Sequence, residues 1–512
     1  MEISERRKTT VAIVGYGPVG GALANLLARQ GVDVAIIEPY KDVYPFPRAG
    51  GIVPESLRLF QTLEVIDQLD SHMVEWTFWY DIFDKDWNRI IERKPDLGER
   101  YQDWAHNVMF FQPALERALR EENDRLGVKA YLGFKAEEIV QDEDGVDLRI
   151  AQRDGTPAGW LRADWVIGCD GSRSIVREAI GGGQDDLEGD QAWLLVYLRL
   201  IREDVELPER IFEWANPDRQ VRYVTPFPHN LKIFEFKVLP GETQETLVDP
   251  DNVWELLSPW LKKGDAEFVR TGVYEFHSRV ANRWRDRRLL IAGDAAHEMP
   301  PTLGEGLNSG FRDAMNLGWK LAGVIDGTFA DRILDSYEQE RKPHVRTLVE
   351  ISNTINVAGA AIAADPEAFR ASVSLEDNYE PPRPRLDPGL HGNEEAPVGT
   401  IADQPRLADG TLFDDAVGYR IAVVATEGLL RAAGVDEDAA WSAIGAIPFP
   451  ADEHRAVRAW LERLGTQAVI VRPDRYILGV ADNAEELRRL GTSLAGSLTN
   501  AQIPTGGSQA LA

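Results

Sequence analysis

The sequence predicts an α/β fold in three parts, on three observations. A strand, a glycine-rich turn, a helix and a second strand occupy Thr9 to Glu38. A further strand ending in Gly293-Asp294, with a second glycine-rich turn over Gly304 to Gly310, lies far downstream. Between them, residues 185 to 280 alternate apolar and polar positions with few helix signals. Together these predict a Rossmann-like domain split along the chain, with an antiparallel sheet inserted between its pieces. A proline-rich stretch, Glu380 to Gly389, then marks off a smaller α/β region.

Each element has its own warrant. Thr9 to Val14 is β-branched and apolar, Gly15-Tyr16-Gly17-Pro18-Val19-Gly20 turns, Ala22 to Gln30 reads as helix, and Val32 to Ile37 is a strand closed by Glu38. Glycines there permit a tight turn and let backbone approach a pyrophosphate on the helix N-terminus. An acid about twenty residues on accepts from a ribose hydroxyl. Gly15, Gly17, Pro18, Val19, Gly20 and Glu38 are thus the first candidate cofactor residues. The bland alternative, a glycine turn joining any strand to any helix, lacks the acid in that place.

Helices are expected over Glu55 to Leu69 and Pro113 to Leu126, the latter with proline in its first turn, and aromatic-rich strand sequence over Trp76 to Ile91. Val128 to Leu132, Ala136 to Gln141, Val146 to Ile150 and Trp165 to Gly168 read as strands, the last running into Cys169-Asp170-Gly171-Ser172-Arg173-Ser174. Leu289 to Ala292 is a short buried strand, and Asp294 follows it. Helical periodicity covers Asn308 to Val324 and Ile333 to Ile355. Beyond the linker, strands at 420–425, 467–471 and 476–480 alternate with helices at 439–443, 456–463 and 485–494.

The net charge of −28 disfavours nucleic acid and anionic membrane surfaces as partners, and any acidic substrate must be attracted locally, against the global field. No apolar run reads as a membrane span and no leader precedes Thr9, so a cytoplasmic protein is expected. One cysteine, Cys169, leaves no intrachain disulfide and no multi-cysteine metal site; no metal is expected.

A dinucleotide turn joined to a distant Asp and a second glycine-rich turn points to FAD. The three elements, GxGxxG with Glu38, the Asp170 to Ser174 motif, and GDAAH with its following Pro300-Pro301 and GxGxNSGxRDAxNLxWKL, resemble the group A flavoprotein monooxygenases, the aromatic hydroxylases typified by para-hydroxybenzoate hydroxylase. Within that superfamily the chain is most similar to the 3-(3-hydroxyphenyl)propionate hydroxylase and polyketide aromatic hydroxylase branch, through Pro47-Arg48-Ala49, Phe234-Glu235-Phe236, Pro240 to Thr243, and Val273-Tyr274 with His277 and Arg279. The resemblance implies an FAD-binding domain over 1–184 and 281–375, with 76–102 serving the substrate region. It implies a substrate-binding sheet over 185–280, a linker over 376–399, a thioredoxin-like domain lacking CxxC over 400–498, and a tail over 499–512.

It also implies the site. Asp294 would hold the ribityl hydroxyls, and Gly304, Gly306 and Leu307, with Pro301 and Asn308, would lie under the isoalloxazine, the helix N-terminus favouring negative charge on reduced flavin. Arg48 and Gln112 match positions at the pyrophosphate and ribityl chain; Asp170 belongs to the cofactor region, with Arg173 and Arg177 as anion contacts. Many relatives carry Gln where this chain has Glu305. The reaction implied uses NADH or NADPH as a transient reductant and O2, through a flavin C4a-hydroperoxide, to hydroxylate an aromatic ring. A homodimer is compatible with the resemblance. Other FAD oxidoreductases of this fold, such as epoxidases, and a non-catalytic flavin-binding module are the alternatives.

The substrate base is less legible. Relatives place Asp or His shortly after the Arg48 position, where this chain has Gly50-Gly51-Ile52-Val53-Pro54. His277 and Tyr223, on strands of the inserted sheet, are the candidate catalytic residues, with His229 and Arg222 behind them. Cys169 reads as an inert buried thiol and His297 as a packing histidine.

Overall fold

The computed structural model describes residues 7–77, 80–93, 98–372, 384–390 and 395–500. The remainder of the expected linker and the tail beyond residue 500 lie outside the described residues. The chain runs β1 (Arg7–Val14), α1 (Pro18–Arg29), β2 (Val34–Glu38), α2 (Pro54–Thr62), β3 (Tyr80–Phe83), β4 (Arg89–Arg93), α3 (Gln112–Arg125), β5 (Lys129–Leu132) and β6 (Pro157–Gly168). It continues with β7 (Gln191–Leu200), β8 (Ile211–Trp214), β9 (Val221–Val224), β10 (Leu231–Lys237), α4 (Pro250–Leu257), β11 (Ala266–Phe276), β12 (Leu289–Ile291), α5 (Glu305–Ile325) and α6 (Asp335–Ala364).

The first sheet has the order β12, β6, β1, β2, β5, all parallel along this path. Its central strands are buried on both faces, which is why they read as continuous apolar runs rather than alternating ones. An antiparallel extension over 134–152 lengthens β6 on the side away from the turn. β12 comes from far downstream, so the glycine turn after β1, the Asp170 motif after β6 and the Gly293-Asp294 corner after β12 all leave the same carboxyl edge. Ligands of doubly wound sheets bind at that edge.

The inserted sheet runs β11, β7, β10, β9, β8, β3, β4. It is antiparallel except where β8 pairs in parallel with β3. The strands within 185–280 pair antiparallel throughout, as expected, and β3 and β4 enter from upstream to extend that sheet, β3 meeting β8 in parallel. α4 covers one face, burying Leu194, Val196, Phe212, Tyr223, Phe234 and Phe236; the other face presents Trp193, Leu195, Tyr197 and Ile233 toward Met109 and Phe227.

Two helices depart from their expected bounds. The helix expected over Glu55 to Leu69 stops at Thr62, where Glu64 takes a positive φ of 56°, and a 3-10 turn follows over Ile66–His72. α5 begins three residues earlier than its periodicity suggests, because Gly304 in the left-handed region (φ 68°) caps it. The segment Asp331–Ala364 meets the length and apolarity of a membrane span, against the expectation of none. Its charged face, however, carries Glu340 and Arg341, fully buried in ion pairs within the protein.

The C-terminal region forms a four-stranded sheet in the order 447–450, 422–425, 468–471, 477–481, with one parallel and two antiparallel pairings. Trp441, Leu487 and Leu494 pack on one face, Phe413, Val457 and Trp460 on the other. Buried ion pairs fasten it to the rest: Arg58 of α2 to Asp414 through two 2.8 Å bonds, and Arg472 to Glu340 of α6 at 2.8 and 2.9 Å.

Candidate active site

Three glycines of the first turn do different work. Gly15 has φ +102°, and a Cβ there would overlap the Cys169 carbonyl oxygen, so β1 and β6 can leave the sheet side by side only with glycine. A Cβ on Gly20 would overlap the Gly15 carbonyl, so the α1 start folds back on its own turn. Gly17, the N-cap residue, meets no atom within 4 Å where its Cβ would be. The turn is therefore closed on the protein side and open on the ligand side, with Pro18 in the first turn of α1 and orphan N–H groups at its N-terminus.

Glu38 accepts from the Tyr16 N–H at 2.8 Å and the Tyr40 N–H at 2.9 Å, one per carboxylate oxygen. Each oxygen keeps a second lone pair for a ribose hydroxyl. Gln112, at the start of α3, accepts from both the Arg48 and Ala49 N–H groups, at 3.0 and 2.9 Å, through one carbonyl oxygen. Its side chain fixes the backbone that carries Arg48. The Arg48 guanidinium lies 4.7 Å from the Tyr44 ring centroid.

The downstream corner closes on this turn. Gly310 of α5 leaves room for the Val19 side chain, which a Cβ would approach to 2.6 Å, and Gly293 meets the same side chain. The N-termini of α1 and α5 thus converge with Asp294 between them. Asp294 retains accessible surface although protein surrounds it closely enough for burial to push its carboxyl up, against the pull of His297 and Arg48. Its carboxylate accepts no hydrogen bond from the described residues, which leaves it for ribityl hydroxyls. Beyond it, a Cβ on Gly304 would meet nothing within 4 Å, and one on Gly306 only the Met299 side chain at 3.5 Å. Pro301 is exposed beside them and Leu307 half-buried. An unpartnered acid, an open glycine turn and a bare helix start fit FAD.

Other motif residues serve the frame. The Asp170 carboxylate turns inward and accepts from the Ile175 N–H at 2.9 Å, so this residue shapes the backbone behind Gly15. Arg177 donates to the Ala295 carbonyl at 3.0 Å, tying that loop to the Asp294 corner instead of taking an anion. Asn308 is buried and fully used by protein: it accepts from Ser56 Oγ at 2.8 Å and donates to the Gly304 and Gly51 carbonyls. Its side chain positions the helix start, with its amide and its carbonyl oxygen both taken up by protein groups. His297 Nε2 donates to the Asp313 carboxylate at 2.7 Å, and Asp313 also accepts from the Gly293 N–H and Arg341. Burial pushes the Cys169 thiol well up, keeping it protonated.

A family model described as an FAD binding domain matches residues 8–352. The chain is 33% identical, over 95% of its length and 93% of the relative's, to the 3-(3-hydroxy-phenyl)propionate/3-hydroxycinnamic acid hydroxylase of Mycolicibacterium smegmatis. The chain belongs to the group A flavoprotein aromatic monooxygenases. This monooxygenase is also 33% identical, over 98% of its length and 97% of the relative's, to a probable NADH-specific resorcinol 4-hydroxylase of Rhodococcus jostii. Among solved structures, aklavinone-11 hydroxylase in complex with FAD and aklavinone matches with a TM-score of 0.79 over 96% of this chain and all of that one. At 23% identity that likeness is one of fold.

The inserted sheet sorts the catalytic candidates of the monooxygenase. On β9 the residues alternate, so Arg222 lies over Trp193 on the sheet face turned toward the flavin domain, the chamber face, while Tyr223 faces α4. Tyr223 is fully buried against Phe212 and Phe234 on the face covered by α4, and burial pushes its hydroxyl up. Its candidacy is withdrawn. His277 follows the end of β11, and its Nδ1 lies 2.8 Å from Asp190 in a partly exposed pair. Arg222 donates to Glu213 at 2.9 Å and to Asn356 at 3.1 Å, and Thr302 donates to the same Asn356 oxygen. It bridges the sheet to the turn beside Gly304. His229 sits at the rim, 2.9 Å from His72.

Sequence reasoning missed Arg270, Tyr197 and Tyr44, which meet on the chamber face. Alternation along β11 was the available signal, but a bulge opposite Tyr197/Leu198 shifts its phase.

Proposed function

We propose that the protein hydroxylates a single-ring phenol, using NADH as reductant and O2 as oxidant, in a cytoplasmic setting. The observation that carries this reading is the aromatic chamber face, with Trp193, Tyr197, Phe227 and Tyr274 on the side of the flavin domain and Phe111 against it. The relatives at 33% identity support the substrate size and the reductant, since their names specify hydroxyphenyl acids, resorcinol and NADH.

Bound FAD would supply hydride acceptance from the nicotinamide and activation of dioxygen for transfer of one oxygen atom to the ring. The chain's own residues bind and position. Gly17 and the α1 N-terminus would receive the pyrophosphate, Glu38 the ribose and Asp294 the ribityl chain, while Gly304 and Gly306 would leave the ring system bare on its protein side. Aromatic walls exclude water and hold the substrate ring in one orientation. Gly50 and Gly51 provide no base. Burial pushes the Tyr197 hydroxyl up, so it stays protonated and can donate to a phenol oxygen without taking its proton. The substrate ring must then be electron-rich by virtue of its own oxygen substituents.

The test is to load the purified protein with FAD and follow NADH and NADPH oxidation with hydroxylated product, using resorcinol, 3-(3-hydroxyphenyl)propionate and polycyclic phenols. Product from a single-ring phenol with NADH supports the reading. Flavin that is reduced while no phenol is hydroxylated would refute it.

A further inference from the structure

On the sheet face turned toward the flavin domain, Arg270 has no ion-pair partner among the described residues. Register pairs Arg270 with Tyr197, Gly272 with Leu195 and Tyr274 with Trp193, so these three residues of β11 share the face that looks toward the flavin domain. The Arg270 guanidinium lies 5.0 Å from the Tyr274 ring centroid, 5.2 Å from Tyr44 and 5.8 Å from Tyr197. It donates to the Tyr274 hydroxyl at 2.9 Å and the Pro47 carbonyl at 3.3 Å. Two of its five N–H groups are engaged, and no described carboxylate pairs with it.

That sets Arg270 apart from the arginines that hold this fold together. Arg58, Arg222, Arg312, Arg341 and Arg472 are each buried against at least one carboxylate. In a chain of net charge −28, an arginine ringed by aromatic residues and left without an acid is poised for an anion from outside. Space stands next to it. Gly272, with no positive φ to require glycine, would place a Cβ within 4 Å of nothing. The cage also adjoins the cofactor cleft: Tyr44 lies between Arg270 and Arg48, and Arg48 acts electrostatically on Asp294.

We propose that Arg270, caged by Tyr44, Tyr197 and Tyr274 and open over Gly272, binds the carboxylate of an aromatic-acid substrate and so selects acids over neutral phenols. This rests on the reading of the chain as a phenol hydroxylase and names its substrate class. Low-dielectric walls strengthen the ion pair, and the planar fork of the guanidinium suits a carboxylate in two-point contact.

The test uses the FAD-loaded full chain. kcat/KM for 3-(3-hydroxyphenyl)propionate and for resorcinol is measured in wild type, Arg270→Met and Gly272→Val, together with the KM for NADH. The expected result is an acid-to-resorcinol ratio that falls by about tenfold or more in Arg270→Met. In Gly272→Val, where the new side chain fills the space, the KM for the acid rises more than that for resorcinol. Equal losses on both substrates, or a rise confined to the KM for NADH, would overturn the proposal, the second result assigning the cage to the dinucleotide. Binding of the acid, read separately by perturbation of flavin absorbance, tests Arg270 without turnover. Acid binding that Arg270→Met weakens, with no product from any phenol, sustains the anion site and sinks only the reaction assigned above; acid binding that it leaves intact sinks the anion site.

Discussion

Arg312 of α5 donates to Glu305 at 2.7 Å, two turns back toward the flavin end of the helix, and its remaining nitrogens reach Glu55 of α2. All three are buried. The negative charge at position 305 is thus turned into the protein and matched by a cation. Glu305→Gln should leave the flavin potential within about 30 mV of wild type, since a two-electron couple moves by that much only for ~1.4 kcal/mol. Arg312→Met, which strands two buried carboxylates, should cost about 3–5 kcal/mol in urea unfolding. A large potential shift in Glu305→Gln would place its charge at the flavin instead.

Gly17 and Gly20 belong to the same turn and have opposite expected failures. Gly17→Ala meets no protein atom, so it should fold with a near wild-type Tm and lose FAD affinity, because its methyl group enters the pyrophosphate space. Gly20→Ala strikes the Gly15 carbonyl and should lower the Tm of the apoprotein itself. Thermal unfolding of apoproteins beside FAD titration separates the two. A Gly17→Ala variant that binds FAD normally would contradict the open-turn reading.

What was legible in the sequence is what local chemistry demands. The glycines at 15, 17 and 20 and the acid at 294 occupy places where backbone approach leaves few alternatives, and their spacing in the chain survives folding. Tyr223 was misplaced because alternation says that neighbouring residues face opposite ways but not which face is covered. That is decided by α4, with Trp254 and Trp260 packed on the sheet from thirty residues downstream or more. Asn308 belongs to a cofactor motif, yet Gly51 and Ser56, brought from the other end of the chain, use up its amide. The parallel pairing of β3 with β8 and the meeting of Tyr44 with Arg270 depend on equally distant contacts, and no window of sequence contains them.

Lys320, buried on α5 with Glu340 at 2.7 Å, gives a pH test. Burial pushes its ammonium down to about 8 from its usual 10.5, with Glu340 opposing. Between those values the unfolded chain holds a proton that the folded one has released, so this group makes stability rise with pH across the window. Relative to Lys320→Met, wild type should gain about 1–3 kcal/mol between pH 7.5 and 10.5, read from urea midpoints. Parallel pH profiles for the two proteins would show that Lys320 titrates normally.

Asp294 carries the opposite sign and ties stability to function. Burial raises its carboxyl in the apoprotein, so as pH climbs from 3.8 the unfolded chain releases its proton first and the folded state loses stability; the cost is complete above the raised value. Asp294→Asn removes that cost while weakening the acceptor for the ribityl hydroxyls. Because the carboxyl keeps solvent access the cost is small, so the variant apoprotein should melt slightly above wild type at pH 7, with the difference closing toward pH 4. FAD affinity should fall by roughly tenfold to a hundredfold, because a hydrogen bond to a charged acceptor is lost. A site shaped for its ligand at the expense of the empty fold predicts both changes in one variant. If Asp294→Asn binds FAD as tightly as wild type, or melts lower at pH 7, the carboxylate does not face the cofactor.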